Sequence, residues 1–210
     1  MDTTNEQTYT ALWHKPHFHC IAAIDPAISE KERSCYTAIV TVGWDTSFAH
    51  PPIYVLDARQ GHWKPTAVLE QAYSVSMTYH PDKVLIEDVA FQTVFVDLWR
   101  EMASNRDCDM PLLGEKPIKG TDKLTRLSMT AKYFRDPYRV LFDDRSVTSQ
   151  KLIEQIVTYS KGNTCDLMDA FAMAVNHLTT RYKPGAAWRQ HGRSEPVYRR
   201  GRIVGYRETT

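Results

Sequence analysis

The sequence predicts an α/β domain on a mixed β-sheet, three antiparallel strands followed by parallel strands, with helices on both faces. Three observations carry this. Cys20–Ile24 is a short, continuously apolar run closed by Asp25-Pro26; it is too short for a helix and stopped by a residue that cannot donate to a ladder, so it reads as a buried central strand. Two β-branched runs follow it with short joins, which is the pattern of an antiparallel meander. From Pro65 the apolar period switches from 2 to 3.6, and helical segments then alternate with short apolar ones.

Taken in order, residues 1–19 form a lead-in without periodicity; its histidines His14, His17 and His19 match no standard metal spacing. The core unit is expected over residues 20–180, and a basic extension over 181–210. After the Cys20–Asp25 strand and a polar loop (Ser29–Ser34) come strands at Tyr36–Val42 and Ile53–Ala58. Pro65–Tyr79 carries Val68, Leu69, Ala72, Tyr73 and Ser76 at helical spacing, with Pro65 suited to a first turn, and His80-Pro81-Asp82 ends it. Lys83–Glu87 is a second short apolar strand ending in an acid. Phe91–Ala103 is amphipathic, with Phe91, Phe95, Leu98 and Met102 on one side.

Pro111-Leu112-Leu113 is a candidate strand, followed by a helix over Asp122–Phe134 with Leu124, Leu127, Ala131 and Phe134 inward. Tyr138–Phe142 reads as a strand, and Thr148–Tyr159 as a helix carrying Leu152, Ile156 and Tyr159. Asn163-Thr164 caps a last helix from Cys165 or Asp166 to about Thr180, with Leu167, Ala170, Phe171, Ala174 and Leu178 inward. Pro184-Gly185 marks the end of the core, and Val197–Tyr206 is either a small hairpin or disordered.

Composition narrows the function classes. A chain of 210 residues supports one substantial core, and 42% hydrophobic with 24% charged residues is ordinary for a globular protein, which sets aside disorder, collagen and coiled coil. No run is long enough to span a membrane, and Met1–Thr10 lacks an apolar signal segment, so an intracellular, unsecreted protein is expected. Cys20, Cys35, Cys108 and Cys165 form no C-x-x-C pair and read as reduced thiols. Charge is uneven: residues 1–180 hold 18 Lys/Arg against 23 Asp/Glu, whereas residues 181–210 hold 8 against 2. An acidic body thus carries a basic tail, which is either a solvated terminus or a sequence-independent attraction for phosphates.

The chemistry-bearing pattern lies in the acids. Asp25 alone is the turn-starting Asp of an Asp-Pro pair. Glu87, however, ends a second apolar strand, and Asp166 and Asp169 lie three apart, on one helix face, at the start of the last helix. If the first and fourth strands are adjacent and parallel, Asp25 and Glu87 emerge at one edge, and a helix packed across it brings its first turn to them. Such like charges resist joint ionisation unless cations neutralise them. Hard oxygen donors suit two divalent cations, Mg²⁺ or Mn²⁺, which roughly 3.5–4 Å apart clamp a phosphate, activate water and stabilise a leaving oxygen. The chemistry expected is phosphodiester hydrolysis.

Ile24-Asp25-Pro26-Ala27, Tyr36-Thr37-Ala38-Ile39-Val40, Ile86-Glu87 followed by Gln92, Lys116-x-Ile118-Lys119 leading to Asp122-Lys123-x-Thr125-Arg126, and Asp166-Leu167-Met168-Asp169-Ala170 occur in an order that closely resembles the nuclease domain of viral terminase large subunits. The resemblance covers roughly residues 20–180 and implies a ribonuclease H-like fold. It implies a two-metal endonuclease that cuts concatemeric viral DNA during genome packaging, with Asp25, Glu87 and Asp166 as catalytic metal ligands and Asp169 as a further ligand or close neighbour. Lys119, Lys123 and Arg126 would then lie near DNA phosphates, or else on a solvated helix face. Implied partners are double-stranded DNA, a terminase ATPase domain, the small terminase subunit and the portal protein, in the cytoplasm of an infected host.

Two departures concern the ligand number of the second metal: Ser34-Cys35 and Thr164-Cys165 stand where many relatives place an acid or a histidine. The sequence has no G-x-x-x-x-G-K-[ST] loop, so a nuclease domain without its motor is expected, as an excised piece or a separately encoded protein. The competing readings are a Holliday-junction resolvase-like nuclease, a non-catalytic ribonuclease H-like module docking DNA or portal through its tail, and acids that are each only local punctuation.

Overall fold

The structure is a computed structural model of the chain, described for residues 17–26, 36–48, 50–87, 92–106, 112–115, 128, 130–135, 139–142, 147–158, 166–184, 193–199 and 202–209. Among these residues, six strands form one mixed sheet: β1 (Phe18–Asp25), β2 (Thr37–Asp45), β3 (Ile53–Gly61), β4 (Lys83–Glu87), β5 (Leu112–Glu115) and β6 (Val140–Phe142), in the spatial order β5-β4-β1-β2-β3-β6. β1, β2 and β3 pair antiparallel; β4 joins β1 in parallel, β5 joins β4 in parallel, and β6 joins β3 in parallel. The meander, the parallel additions and the helices on both faces agree with the sequence reading.

Among the described residues the helices that flank the sheet are α1 (Pro65–Tyr79), α2 (Gln92–Asn105), α3 (Val147–Thr158) and α4 (Asp166–Arg181). Strand alternation divides the core between the two faces. Ile21 and Ala23 of β1, with Val40 and Leu85, pack against Leu152 of α3 and Leu167, Phe171 and Leu178 of α4. Ala22, Ile24, Ile39 and Ile86 pack against Leu69 and Val75 of α1 and Phe95 and Trp99 of α2. With both faces covered, β1 must be apolar at every position rather than at alternate ones, which is why Cys20–Ile24 shows no alternation. Each fully buried Leu, Ile or Phe contributes about 1.5–3 kcal/mol. With ten of its sixteen residues buried, α4 is held by burial far more firmly than any cap could hold it.

α1 has Pro65 at its start, and His80 closes it in the left-handed conformation (φ 45°), its N–H donating to the Ser76 carbonyl at 2.9 Å. β1 opens at Phe18, two residues before the Cys20 start read from the sequence, because Phe18 is buried against Tyr54. At this opening end Asp82 ties the layers together. Its Oδ2 accepts from the Cys20 N–H at 3.3 Å and lies 3.2 Å from Nδ1 of His19, whose ring stacks on Tyr182 beyond α4 at 3.8 Å between centroids.

One stretch departs from expectation. After helical turns at 128, 130 and 131 the chain tightens to a 3-10 turn over Lys132–Phe134. Three residues per turn instead of 3.6 rotate the faces. Thr130 and Tyr133 are buried, while Ala131 and Phe134, expected inward, are exposed. Leu124 and Leu127, Phe91 and Tyr159 lie outside the described residues. No described helix is long and apolar enough to cross a membrane.

Gly43 of β2 is required by a close approach: a Cβ built there would lie 2.2 Å from Cζ of the buried Phe18 ring. Gly43→Ala is expected to destabilise by about 1–3 kcal/mol through overpacking, lowering the Tm by about 2–4 °C per kcal/mol. In thermal melts Phe18→Leu combined with it should recover part of the loss. Additive losses in the double variant would refute the contact as the cause.

Candidate active site

The register of β1 on β4 builds the site. Ile24 pairs with Ile86 in parallel, so the next residues, Asp25 and Glu87, leave the sheet side by side at the same edge. Alternation sets both on the face of Ile21, Ala23 and Leu85, which is the face covered by α3 and α4. α4 begins at that edge with Asp166 and Asp169 in its first turn, and Asp169 is buried within the helix packing. The helix N-terminus favours carboxylates there by about 0.3–1 kcal/mol each.

Two contacts position this first turn. The backbone N–H of Tyr36, just before β2, donates to Oδ2 of Asp166 at 3.1 Å. Gln155 of α3 bridges β3 and α4: its Nε2 donates to Oε1 of Gln60 at 3.0 Å, and its Oε1 accepts from the Met168 N–H at 3.3 Å. A neutral amide thus satisfies one of the orphan donors of α4 without adding charge.

Electrostatically the four acids act as a group. The Asp25 carboxyl is pushed up from the ordinary carboxylate range to about 8. Burial is the largest cause, followed by the neighbouring charges of Glu87 and Asp169, a carboxyl–carboxyl hydrogen bond with Glu87, and the charge of Asp166. Such a hydrogen bond needs one of the two carboxyls protonated, so near neutral pH the pair holds a proton. Two carboxylates competing for one charge-bearing spot form a cation-accepting arrangement by donor chemistry. Among the described residues, no group of three or more His, Cys, Asp or Glu side chains already stands at metal-donor spacing.

The structure also brings to this edge residues not singled out in the sequence. Glu115 is paired in register with Glu87, because β5 runs through Glu115 rather than stopping at Leu113. The rings of Tyr36 and His62, 4.1 Å apart, flank the start of β2 and the end of β3. Strand alternation would have flagged Glu115 had the strand been extended; Gln155 and His62 carry no sequence signal. Lys119, Lys123 and Arg126 lie outside the described residues, as do Ser34-Cys35 and Thr164-Cys165. Cys20 is a buried free thiol toward the opposite end of β1, where burial raises its pKa.

No protein-family profile and no curated protein sequence matches the chain. The fold is similar to that of the human cytomegalovirus terminase nuclease domain, at 16% identity and a TM-score of 0.55 over 78% of this chain and 85% of that one. It is also similar to the P22 large terminase nuclease domain, at 14% identity and a TM-score of 0.52 over 78% and 84% of the two chains. A further similar structure is the nuclease domain of the large terminase subunit gp2 of bacterial virus Sf6, at 13% identity and a TM-score of 0.51 over 74% and 87%. At these identities the likeness is one of fold, and it extends over most of each partner. The chain therefore has the ribonuclease H-like fold of the terminase large-subunit nuclease domains.

Proposed function

We propose that the protein is a divalent-metal-dependent endonuclease that hydrolyses DNA phosphodiester bonds, cutting concatemeric viral DNA during packaging. The observation that carries this reading is the convergence of Asp25, Glu87, Asp166 and Asp169 at one sheet edge, where burial first and the neighbouring acids second hold a proton on the Asp25–Glu87 pair. The donor set fits hard cations: all of it is carboxylate oxygen, and bound positive charge removes the penalty for ionising Asp25. Asp25, Glu87 and Asp166 would hold two Mg²⁺ or Mn²⁺ ions, with Asp169 beside them. Once bound, such ions neutralise the phosphate, activate water and stabilise the leaving oxygen.

The chain's own residues set the geometry. Asp25, on the central strand between Glu87 and α4, is the natural shared ligand. Tyr36 N–H holds the Asp166 carboxylate in place, and the Gln155 amide fixes the turn that carries Asp166 and Asp169. The reading extends to Lys119, Lys123 and Arg126 as phosphate contacts on a double-stranded DNA substrate, and to a terminase ATPase domain, small subunit and portal protein as partners in the host cytoplasm. The folds it resembles belong to terminase nuclease domains, which supports the reaction class.

Supercoiled plasmid is expected to be nicked with Mn²⁺ or Mg²⁺ and left intact in EDTA. Asp25→Asn, Glu87→Gln and Asp166→Asn should each lower nicking by at least the ~100-fold that loss of an outer-shell metal contact can cause, with circular dichroism unchanged. Undiminished cleavage by purified Asp25→Asn would exclude the mechanism.

A pH consequence follows from Asp25. Its folded carboxyl binds a proton more tightly than the unfolded one, so its contribution to stability is full below about pH 4. That contribution is lost as pH rises toward about 8. In EDTA the Tm should fall across this window, and Asp25→Asn should be the more stable protein at pH 8, by about 2–4 °C for each kcal/mol relieved. Adding Mg²⁺ at pH 8 should raise the wild-type Tm more than that of Asp25→Asn. Equal melting of the two proteins throughout the range in EDTA would contradict the assigned electrostatics.

A further inference from the structure

The basic extension contains β7 (Arg193–Arg199) and β8 (Arg202–Thr209), an antiparallel ribbon joined through Arg200-Gly201. Arg193 pairs with Thr209, Glu195 with Arg207 and Val197 with Gly205; the register then shifts, so that Tyr198 pairs with Ile203 and Arg199 with Arg202. Val204 is thus the extra residue of a bulge. Alternate strand residues occupy opposite faces and paired residues share one. By register one face therefore takes the positions of Arg193, Arg199, Arg202 and Arg207, with Glu195, Val197, Gly205 and Thr209, and the other takes those of Pro196, Tyr198, Ile203 and Tyr206, with Ser194 and Glu208. The bulge does the sorting, for without it Arg202 would fall on the face opposite Arg207.

Two features of the arginine face point to a polyanion. Arg199 and Arg202 stand directly opposite one another, a like-charge pair that destabilises a ribbon. A two-stranded ribbon is marginal in water even without that repulsion. At ~3.4 Å per residue, the arginines of β7 span about 20 Å, a length over which duplex DNA presents several phosphates on each strand. The charge balance of residues 1–192, 21 Lys/Arg against 23 Asp/Glu, gives the chain ahead of the ribbon no net attraction of this kind.

We propose that the β7–β8 ribbon is a DNA-holding arm whose arginine face binds the phosphate backbone of duplex DNA without reading sequence. The inference rests on the nuclease reading for the choice of DNA as the polyanion. Its test is the binding of the full chain, in EDTA, to a fluorescently labelled duplex of arbitrary sequence, by anisotropy between 50 and 200 mM KCl. Replacing Arg193, Arg199, Arg202 and Arg207 together by Gln should reduce the slope of log K against log salt by about 3–4, at ~0.9 per phosphate contact. Replacing the same four by Lys should change the slope by less than about 1.

A wild-type slope in the Gln variant overturns the arm, as does a Lys variant that loses as much as the Gln variant, since the positions would then matter for folding and not for charge. Failure of the wild-type chain to bind the duplex overturns it too. Mn²⁺-dependent nicking, measured in parallel, keeps the two ideas apart. Nicking with an unchanged slope removes the arm and leaves the nuclease, whereas a fallen slope without wild-type nicking does the reverse.

Discussion

The parallel pairing of β1 with β4 is the constraint on which the site depends. It forces Asp25 and Glu87, each the last residue of an otherwise apolar strand, to leave the sheet as neighbours. Nothing local favours this. Burial disfavours the charged form and the neighbouring acids add repulsion, so Asp25 retains its proton far above the ordinary range. The arrangement persists because the surrounding packing over-determines it: Ile24 and Ile86 on one face, Ala23 and Leu85 on the other, are all essentially buried. Hydrophobic burial thus supplies the stability, and the acidic edge draws on it, a division expected where a site is built for a ligand of opposite charge.

α4 meets this edge for the same reason. Its buried stripe aligns it over β1 and β2, and the stripe begins in the very turn that carries Asp166 and Asp169. The Tyr36 N–H and the Gln155 amide then fix orientation with neutral donors and an acceptor, so positioning adds no charge to a cluster already crowded with it. The β7–β8 register presents the opposite charge pattern, four arginines at positions of one face. The proposed metal-assisted reaction on nucleic acid would answer both, with cations at the acidic edge and phosphates at the arginines.

Much of this was legible in the sequence where a short apolar run or a helical period stands out. Cys20–Ile24 and Val84–Ile86 read as buried strands by length and apolar continuity, and α1, beginning at Pro65, matches its pattern end to end. The acids at their ends became informative through their order, since each alone is unremarkable turn or cap chemistry. What escaped the sequence depends on tertiary geometry. Trp99 and Val75 are buried although they lie beside the positions read as inward, because the sheet meets α1 and α2 over a broader stripe than one heptad face. Phe134, in a 3-10 turn that no pattern announces, stays 38% exposed with its ring tilted against that of Phe171. Glu115 joined the edge through a register, Gln155 through a bridge between two elements distant in sequence, and the sorting of the arginines through a bulge.

The central claim is that the carboxylates at the β1–β4 edge form a divalent-cation site. Titration calorimetry with Mn²⁺ at pH 7, repeated in buffers of different ionisation enthalpy, measures both stoichiometry and proton release. Two ions bound per chain, with about one proton released as the Asp25–Glu87 pair gives up the proton it holds, is the predicted result. Absence of binding, or the same isotherm and proton count from Asp25→Asn, would contradict it.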